Sequence, residues 1–200
     1  MGTQGTGARA CPRMPSRTVE RMNRRYDFSV LSVMVVDDNQ YMQQIIKTIL
    51  NSMLVKDVHG FTNPADAFAD LENWQPDIVF VDWMMDPING LEFVQLTRQS
   101  ESALRFIPLV LLTGHADQGL VKQGRDKGAD YTIAKPVSLN AVYRTFVRLI
   151  ENPRQFVQTP TFFGPNRRHK QRHFDGPDRR SNPEPADAGE YRLMPSREVS

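Results

Sequence analysis

Short apolar runs alternate along the chain with stretches in which apolar residues recur every three or four positions. The runs suit buried strands and lie at residues 33–36, 55–59, 78–81, 107–112 and 131–134. The helical spacing is clearest in two sets, Met42, Ile45, Ile46, Ile49, Leu50 and Met53, then Leu139, Val142, Tyr143, Phe146, Val147 and Ile150. Strands that alternate with amphipathic helices indicate βα units around a parallel sheet. We therefore predict an α/β domain with five strands.

Residues that start helices support this pattern. Asn63 precedes Pro64, which suits the first helical position because its missing N–H has no partner to lose there, and Ser138 can cap the last helix. The segment at 117–128 is the weakest helix, since each of its glycines Gly119 and Gly124 costs a helix about 1 kcal/mol relative to alanine. It is either a poor surface helix or one that can shift easily.

The composition changes at both ends of this pattern. Residues 1–28 are rich in Gly, Arg, Ser and Pro without an apolar period, and residues 152–200 hold seven of the fourteen prolines. Such segments cannot bury a core, so we predict disordered tails around a domain at 29–151. We expect translation to start at either Met1 or Met22, and the sequence leaves both open. The C-terminal tail repeats Phe-x-Gly-Pro-Asn/Asp-Arg-Arg at 162–168 and 174–180, which favours a short partner-binding motif over a plain linker.

Charge is distributed unevenly, although the net charge is only +2. The predicted domain holds ten Lys/Arg and fifteen Asp/Glu, so it is acidic, while both tails are basic. Cys11 is the only cysteine, which excludes an intrachain disulfide and suggests a reducing compartment. No run reaches the roughly 18 apolar residues of a membrane helix, and the first residues lack the apolar stretch of a secretory signal. We predict a cytoplasmic protein without a membrane partner.

Polar residues follow the predicted strands at the points where ligands bind in parallel βα sheets. Asp37 and Asp38 follow the first strand, Asp82 the third, Thr113 the fourth and Lys135 the fifth. Each alone is ordinary, since an Asp after a strand often caps a helix, a Thr often satisfies a strand end, and a Lys often forms a surface ion pair. Together they place three carboxylates, a hydroxyl and an ammonium at one edge. Adjacent carboxylates repel unless a cation neutralises them, and an all-oxygen cage suits Mg²⁺.

Four motifs, VVDDN, IVFVDWMM, LLTGHA and GADYTIAKP, carry a resemblance to a known family. In order and spacing, residues 31–151 resemble the receiver domain of bacterial two-component response regulators of the chemotaxis-regulator type. The resemblance implies a doubly wound, flavodoxin-like parallel sheet in the order 2-1-3-4-5, with helices on both faces. It implies that Asp82 accepts a phosphoryl group from a histidine kinase or a phosphotransfer protein. It also implies a cis peptide bond between Lys135 and Pro136.

The resemblance extends to the metal ligands and to the groups around the phosphoryl group. It implies that Asp38 and Asp82 bind Mg²⁺ directly, that Asp37 acts largely through water, and that the Met84 backbone carbonyl is a further ligand. Lys135 and the metal would neutralise the transferred group, and Thr113 would then hydrogen-bond it. Among its departures from the family pattern, the chain has Thr132 where the family carries an aromatic residue. Tyr131 lies one residue earlier on the opposite face of the strand and cannot replace it.

These residues favour a single-domain response regulator that catalyses only its own phosphorylation and dephosphorylation and signals through contacts with an unidentified protein. An alternative is a nucleic-acid-binding effector that uses the basic C-terminal tail, whose charge is thin support for such a partner. A third class, the phosphoryl-aspartate hydrolases of the haloacid-dehalogenase type, needs a second Asp two residues after the nucleophile. Met84 stands at that position.

Overall fold

The computed structural model describes residues 26–114, 117–159 and 161–166, together with the backbone of residues 184 and 185. Five parallel strands form one sheet in the order β2-β1-β3-β4-β5, as predicted. They are β1 (Ser32–Val36), β2 (Asp57–Phe61), β3 (Ile78–Asp82), β4 (Leu109–Thr113) and β5 (Tyr131–Ala134). In the central register, Val33 of β1 lies opposite Val58 of β2 and Ile78 of β3.

Five helices cover both faces of this sheet, as a doubly wound fold requires. They are α1 (Gln40–Ser52), α2 (Pro64–Trp74), α3 (Gly90–Gln99), α4 (Gln118–Lys127) and α5 (Leu139–Glu151), and a 3₁₀ helix (Ala103–Phe106) precedes β4. The buried residues of α1 and α5 pack on one face of the sheet, and those of α2 and α3 on the other. Within the described residues, no helix combines the length and apolar character that crossing a membrane demands.

The predicted helix starts are confirmed. Asn63 accepts a hydrogen bond from the Ala65 amide at 2.8 Å, and Ser138 accepts one from the Ala141 amide at 3.3 Å. The glycine-containing α4 also forms, and Gly124 shows why it needs a small residue: a Cβ there would lie 2.7 Å from Leu111 Cδ1. The helix ends at Gly128, whose φ of +107° favours glycine.

Two strands begin later than their apolar runs predict. The second run starts at residue 55, whereas β2 begins at Asp57, and the fourth starts at residue 107, whereas β4 begins at Leu109. Val55 and Ile107 are nevertheless buried. The apolar pattern therefore reports burial in the loop before each strand as well as pairing within it.

The folded unit extends beyond the predicted domain at its N-terminal end. The Tyr26 hydroxyl donates a hydrogen bond to Glu151 Oε1 at 2.6 Å, and the Phe28 ring packs edge-on against Phe146 with centroids 5.3 Å apart. Both aromatic side chains cover α5, so residues 26–28 differ from the predicted disordered tail. Residues 1–25 lie outside the described part of the chain, and the prediction for them stays a prediction.

The C-terminal segment also differs from the prediction of disorder beyond residue 151. Strands β6 (Phe156–Thr159) and β7 (Phe162–Pro165) form an antiparallel hairpin, and the two-residue strand β8 (Glu184–Pro185) pairs with β6. Phe156 is buried against the domain. A few aromatic side chains can thus fix a segment against the domain although its overall composition is rich in proline and arginine. The first copy of the repeated motif begins in β7, and the second copy lies outside the described residues.

A buried ion pair joins α3 to the start of β5. Arg98, only 2% exposed, donates from Nη2 to Asp130 Oδ2 at 2.8 Å, and the same oxygen accepts a hydrogen bond from the Leu109 amide. Arg98 also donates to the backbone carbonyls of Gly128, Arg105 and Ile107. Burial lowers the pKa of Arg98 to about 10, against the opposing effect of Asp130, so the guanidinium stays charged at neutral pH. Burial likewise raises the pKa of Asp130, with Arg98 opposing it.

Candidate functional site

The two adjacent carboxylates after β1 occupy different environments. The Asp37 amide donates to the Phe61 carbonyl, which extends the pairing with β2 and leaves the Asp37 side chain fully buried. Its Oδ1 accepts a hydrogen bond from the Asn39 amide at 3.0 Å, just before α1 begins. Asp38, in contrast, is exposed. The strand end therefore presents one fixed carboxylate and one that solvent ions can reach.

Asp82 is the last residue of β3 and is 6% exposed. Its Oδ1 accepts a hydrogen bond from the Trp83 amide at 2.8 Å, which fixes the orientation of the carboxylate. Helix α3 begins very close to this residue, because a Cβ on Gly90 would overlap with the Asp82 carbonyl oxygen. Only glycine fits at that point of the chain.

Lys135 joins the strand ends of β1 and β3. Its Nζ lies 2.9 Å from Asp37 Oδ2 and 2.9 Å from Asp82 Oδ1. Its backbone amide donates to the Thr113 carbonyl at 2.7 Å, which sets Lys135 beside the end of β4. The Lys135–Pro136 peptide is cis, as the resemblance implies, and so is Asp86–Pro87.

The charges at this edge do not balance within the site. Ligand oxygens of Asp37, Asp38 and Asp82 lie within 4.8 Å of one another, and Lys135 supplies the ammonium that contacts two of these carboxylates. Burial raises the pKa of Asp82 and the Asp37 charge adds to this effect, while Lys135 opposes it. For Lys135, burial acts to lower the pKa, but hydrogen bonds to Asp82 and Asp37 outweigh it, and the pKa is raised. Three oxygen donors with an excess of negative charge fit a hard divalent cation such as Mg²⁺.

The remaining predicted residues lie around this cluster. Thr113 ends β4 and is buried, and Met84 lies in the loop after Asp82 and is 73% exposed. The resemblance implies that the Met84 carbonyl is a metal ligand, and this role stays a prediction, as does the hydrogen bond from Thr113 to a phosphoryl group. The structure thus brings Asp37, Asp38, Asp82 and Lys135 into contact range and sets Thr113 beside them through the backbone.

Two residues that shape the site do not stand out in the sequence. Gln43, on the buried side of α1, donates from Nε2 to the Asp37 carbonyl at 2.8 Å and so holds the turn that carries both carboxylates. Trp83 is buried, and its Cζ3 would lie 3.5 Å from a Cβ on Gly124 of α4. A polar residue at a buried helical position is a usable signal for Gln43. The packing of Trp83 on α4 has no signal in the sequence, because it depends on where α4 lies in the folded domain.

The two residues at the start of β5 point to opposite faces, as predicted. A Cβ on Gly124 would lie 3.3 Å from Thr132 Oγ1, so Thr132 faces α4. The half-buried Tyr131 packs with the cluster on the other face, where its ring lies 5.1 Å from the Arg154 guanidinium. Small side chains therefore fill the space beneath α4 where the family carries an aromatic ring.

Replacing Lys135 by methionine is expected to raise the affinity of the site for Mg²⁺. The ammonium and the cation compete for the same carboxylates, and the repulsion between one unit charge and a divalent cation at about 4 Å is worth about 2 kcal/mol even in water, which is about thirtyfold in affinity. Isothermal titration calorimetry would measure the change. Lys122→Met, an exposed substitution in α4, is the matched control. Equal or weaker binding by Lys135→Met would contradict this assignment of charges.

Comparison with known sequences gives a consistent result for this region. The profile of the response regulator receiver domain matches residues 33–146. The chain is 30% identical over 107 residues to the chemotaxis protein CheY1 of Helicobacter pylori, covering 53% of this chain and 86% of CheY1. It is also 30% identical over 111 residues to the protein PilG of Pseudomonas aeruginosa, covering 54% of this chain and 78% of PilG.

Solved structures with the same fold include further receiver domains. The receiver domain of a signal transduction histidine kinase from Syntrophus aciditrophicus matches 66% of this chain and 100% of its own length, with 25% identity and a TM-score of 0.55. The receiver domain of the sensor kinase PA1611 from Pseudomonas aeruginosa, whose structure contains a magnesium ion in the active-site cleft, matches 59% of this chain and 95% of its own length, with 24% identity and a TM-score of 0.53. The profile match ends at residue 146, before the β6–β7 hairpin begins.

Proposed function

The chain belongs to the response regulator receiver family, and on that premise we propose that it accepts a phosphoryl group on Asp82 in a Mg²⁺-dependent step of two-component signalling. The observation that carries the proposal is the position of the Asp82 carboxylate. It is buried, its Oδ1 is fixed by the Trp83 amide and the Lys135 ammonium, and it shares a cluster with Asp37 and Asp38. This combination positions a nucleophile and surrounds it with charge that can neutralise a phosphoryl group.

The hydrogen bonds assign the reacting oxygen. Because Oδ1 of Asp82 already accepts from Trp83 and Lys135, Oδ2 is the oxygen we assign to attack the phosphorus of the donor. With a phosphohistidine donor, the new O–P bond forms as the P–N bond breaks, and the electron pair of that bond leaves with the imidazole, which then takes a proton. Mg²⁺ held by Asp38, Asp82, the Met84 carbonyl and, through water, Asp37 would offset the negative charge of the transferred group.

The remaining groups act on the product. Lys135 keeps its ammonium near Asp82 and can contact a phosphoryl oxygen when Asp82 is modified. Thr113 at the end of β4 is assigned the hydrogen bond from its hydroxyl to the phosphoryl group, which would draw the following loop toward the site. The chain then signals through contacts with another protein and catalyses no reaction on a separate substrate. Its donor is a histidine kinase or a phosphotransfer protein, and a cytoplasmic location stays a prediction from the sequence.

Asp82→Asn is expected to abolish phosphorylation, because the amide replaces the attacking oxygen pair with a much weaker nucleophile of nearly the same shape. Wild-type protein incubated with Mg²⁺ and acetyl phosphate should gain one base-labile phosphoryl group by intact mass, and a chelator should prevent the gain. Asp66→Asn, which changes an exposed carboxylate of α2, is the control and should behave as wild type. Phosphorylation of Asp82→Asn to the wild-type level, or none in the wild type, would refute the proposal.

A further inference from the structure

The hairpin of β6 and β7 lies at the end of the sheet opposite the carboxylate cluster. The cluster follows the carboxyl ends of β1 and β3, whereas the hairpin packs on residues that follow α3 and α4 or precede β4. Its Phe156 and Phe163 rings pack against each other and against Phe106 of the 3₁₀ helix, with centroids 5.2 to 5.6 Å apart. The hairpin is therefore held by a specific aromatic cluster rather than by backbone pairing alone.

Two arginines complete this contact from the side of the domain. The Arg105 guanidinium lies 3.4 Å from the centroid of the Phe163 ring, and the Arg98 guanidinium lies 5.1 Å from that of Phe156. Arg98 is the buried arginine of α3 that pairs with Asp130. The hairpin thus contacts a charged group that is buried in the folded chain, and its own position depends on where α3 ends.

Helix α3 connects this contact to the phosphoacceptor. Its first residue, Gly90, donates from its amide to the Trp83 carbonyl at 3.0 Å and approaches Asp82 so closely that a Cβ would overlap with the Asp82 carbonyl oxygen. Its ninth residue, Arg98, lies beneath the Phe156 ring. A helix of this length is a rigid rod of about 15 Å. Its two ends therefore touch Asp82 and the hairpin.

Helix α4 makes a second connection of the same kind. Gly124 packs against Leu111 and Trp83, the residue next to Asp82, with no space for a side chain. At the end of this helix, a Cβ on Gly164 of the hairpin would lie 3.2 Å from the Gly128 Cα, and a Cβ on Gly128 would lie 3.5 Å from the Phe163 carbonyl oxygen. Backbone packed against backbone leaves little slack, so a shift of α4 must move the hairpin.

We propose that the docked hairpin is an autoinhibitory element, a brake that slows phosphorylation of Asp82 in the same chain. This inference rests on the proposed function. The hairpin packs on α3 and α4 in the positions that these helices have when Asp82 is unmodified and paired with Lys135. A phosphoryl group on Asp82 occupies space beside this carboxylate and contacts the Lys135 ammonium. It therefore changes the surroundings of Trp83 and of the start of α3. Binding free energies that are coupled act in both directions: a hairpin that favours unmodified Asp82 is itself loosened when Asp82 is phosphorylated.

The first test removes one hairpin contact in the full-length chain. Phe163→Ala deletes the ring under Arg105 and should raise the initial rate of phosphorylation by acetyl phosphate and Mg²⁺ about fivefold or more, the lower end of typical coupling between sites. Gln158→Ala, an exposed position of β6, is the control and should keep the wild-type rate. A Phe163→Ala rate equal to that of Gln158→Ala overturns the brake.

The second test needs no variant that weakens the fold. Hydrogen exchange at the amides of β6 and β7 in the wild type should accelerate about fivefold on phosphorylation and should not change in Asp82→Asn given the same reagents. Exchange that is identical in the phosphorylated and unmodified wild type overturns the coupling while leaving the proposed function intact. If the wild type takes up no phosphate, the proposed function itself fails, and the brake fails with it.

Discussion

Asp130→Asn is expected to lower the free energy of unfolding by about 3 kcal/mol or more. The substitution keeps the shape of the side chain and one oxygen for the Leu109 amide, but it leaves the guanidinium of Arg98 charged and buried without a counterion. Breaking a buried pair from one side usually costs about 3–5 kcal/mol. The measurement is urea unfolding followed by circular dichroism, with the change read as a shift of the midpoint at unchanged slope.

Glu101→Gln is the matched control for this prediction. It also removes one carboxylate charge, but from an exposed loop position, where most substitutions change stability by less than about 0.5 kcal/mol. If the two variants unfolded at the same urea concentration, the Arg98–Asp130 pair would not determine stability at the base of the sheet. Because Arg98 also supports Phe156, Asp130→Asn should increase hydrogen exchange in the hairpin as well.

Gly90→Ala is expected to reduce both stability and Mg²⁺ binding, although alanine is normally the better helix residue. The added methyl would overlap with the Asp82 carbonyl oxygen and lie 3.1 Å from Leu111 Cδ2, and neither the strand nor the buried leucine can give way easily. Overpacking of this kind costs about 1–3 kcal/mol. The loop between Asp82 and α3 must shift to relieve it, and that loop carries the predicted ligand Met84. Calorimetric titration should therefore show Mg²⁺ binding weakened about tenfold, the size of effect that loss of a supporting contact has at other metal sites.

Gly119→Ala is the control for Gly90→Ala and is expected to raise stability where Gly90→Ala lowers it. This glycine lies in α4, where a Cβ would meet only the exposed carboxylate of Asp117, at 3.2 Å, and the hydrogen bond from the Gly119 amide to that carboxylate can be kept. The higher helix propensity of alanine should then raise stability by up to about 1 kcal/mol, with Mg²⁺ affinity unchanged. Equal effects from Gly90→Ala and Gly119→Ala would mean that the close approach of α3 to Asp82 is not a constraint on the site.

The sheet and the cluster at its edge were accessible from the sequence because they follow from local patterns. Buried runs such as 78–81 mark strands, and in a parallel sheet the residues after such runs must meet, which brings Asp37, Asp82 and Lys135 together. Strand order came from the resemblance, since the spacing of elements alone does not specify which strands are neighbours. The small residues beneath α4 were visible only as a departure from the family at Thr132.

The hairpin and the residues at the base of the sheet were not accessible in the same way. Phe156 and Phe163 lie in a segment whose composition indicates disorder, and no apolar period predicts that Phe156 is buried or that the two rings pack together. Their partners, Arg98 and Arg105, are charged residues that sequence patterns place at the surface, whereas the fold removes Arg98 from water by pairing it with a residue 32 positions later. Such contacts form only when the base of the domain is assembled, so they are recognised from the three-dimensional structure and not from the sequence.

The position of Trp83 gives the protein an internal optical reporter. Its indole ring is buried beside α4, and its amide donates to the carboxylate that would carry the phosphoryl group, so emission from this ring should change when Asp82 binds metal or is modified. The only other tryptophan, Trp74, is the last residue of α2 and is stacked on the His59 imidazole with ring centroids 3.8 Å apart. A Trp74→Phe protein would therefore report events at the active site by intrinsic fluorescence alone, without an attached dye and in real time.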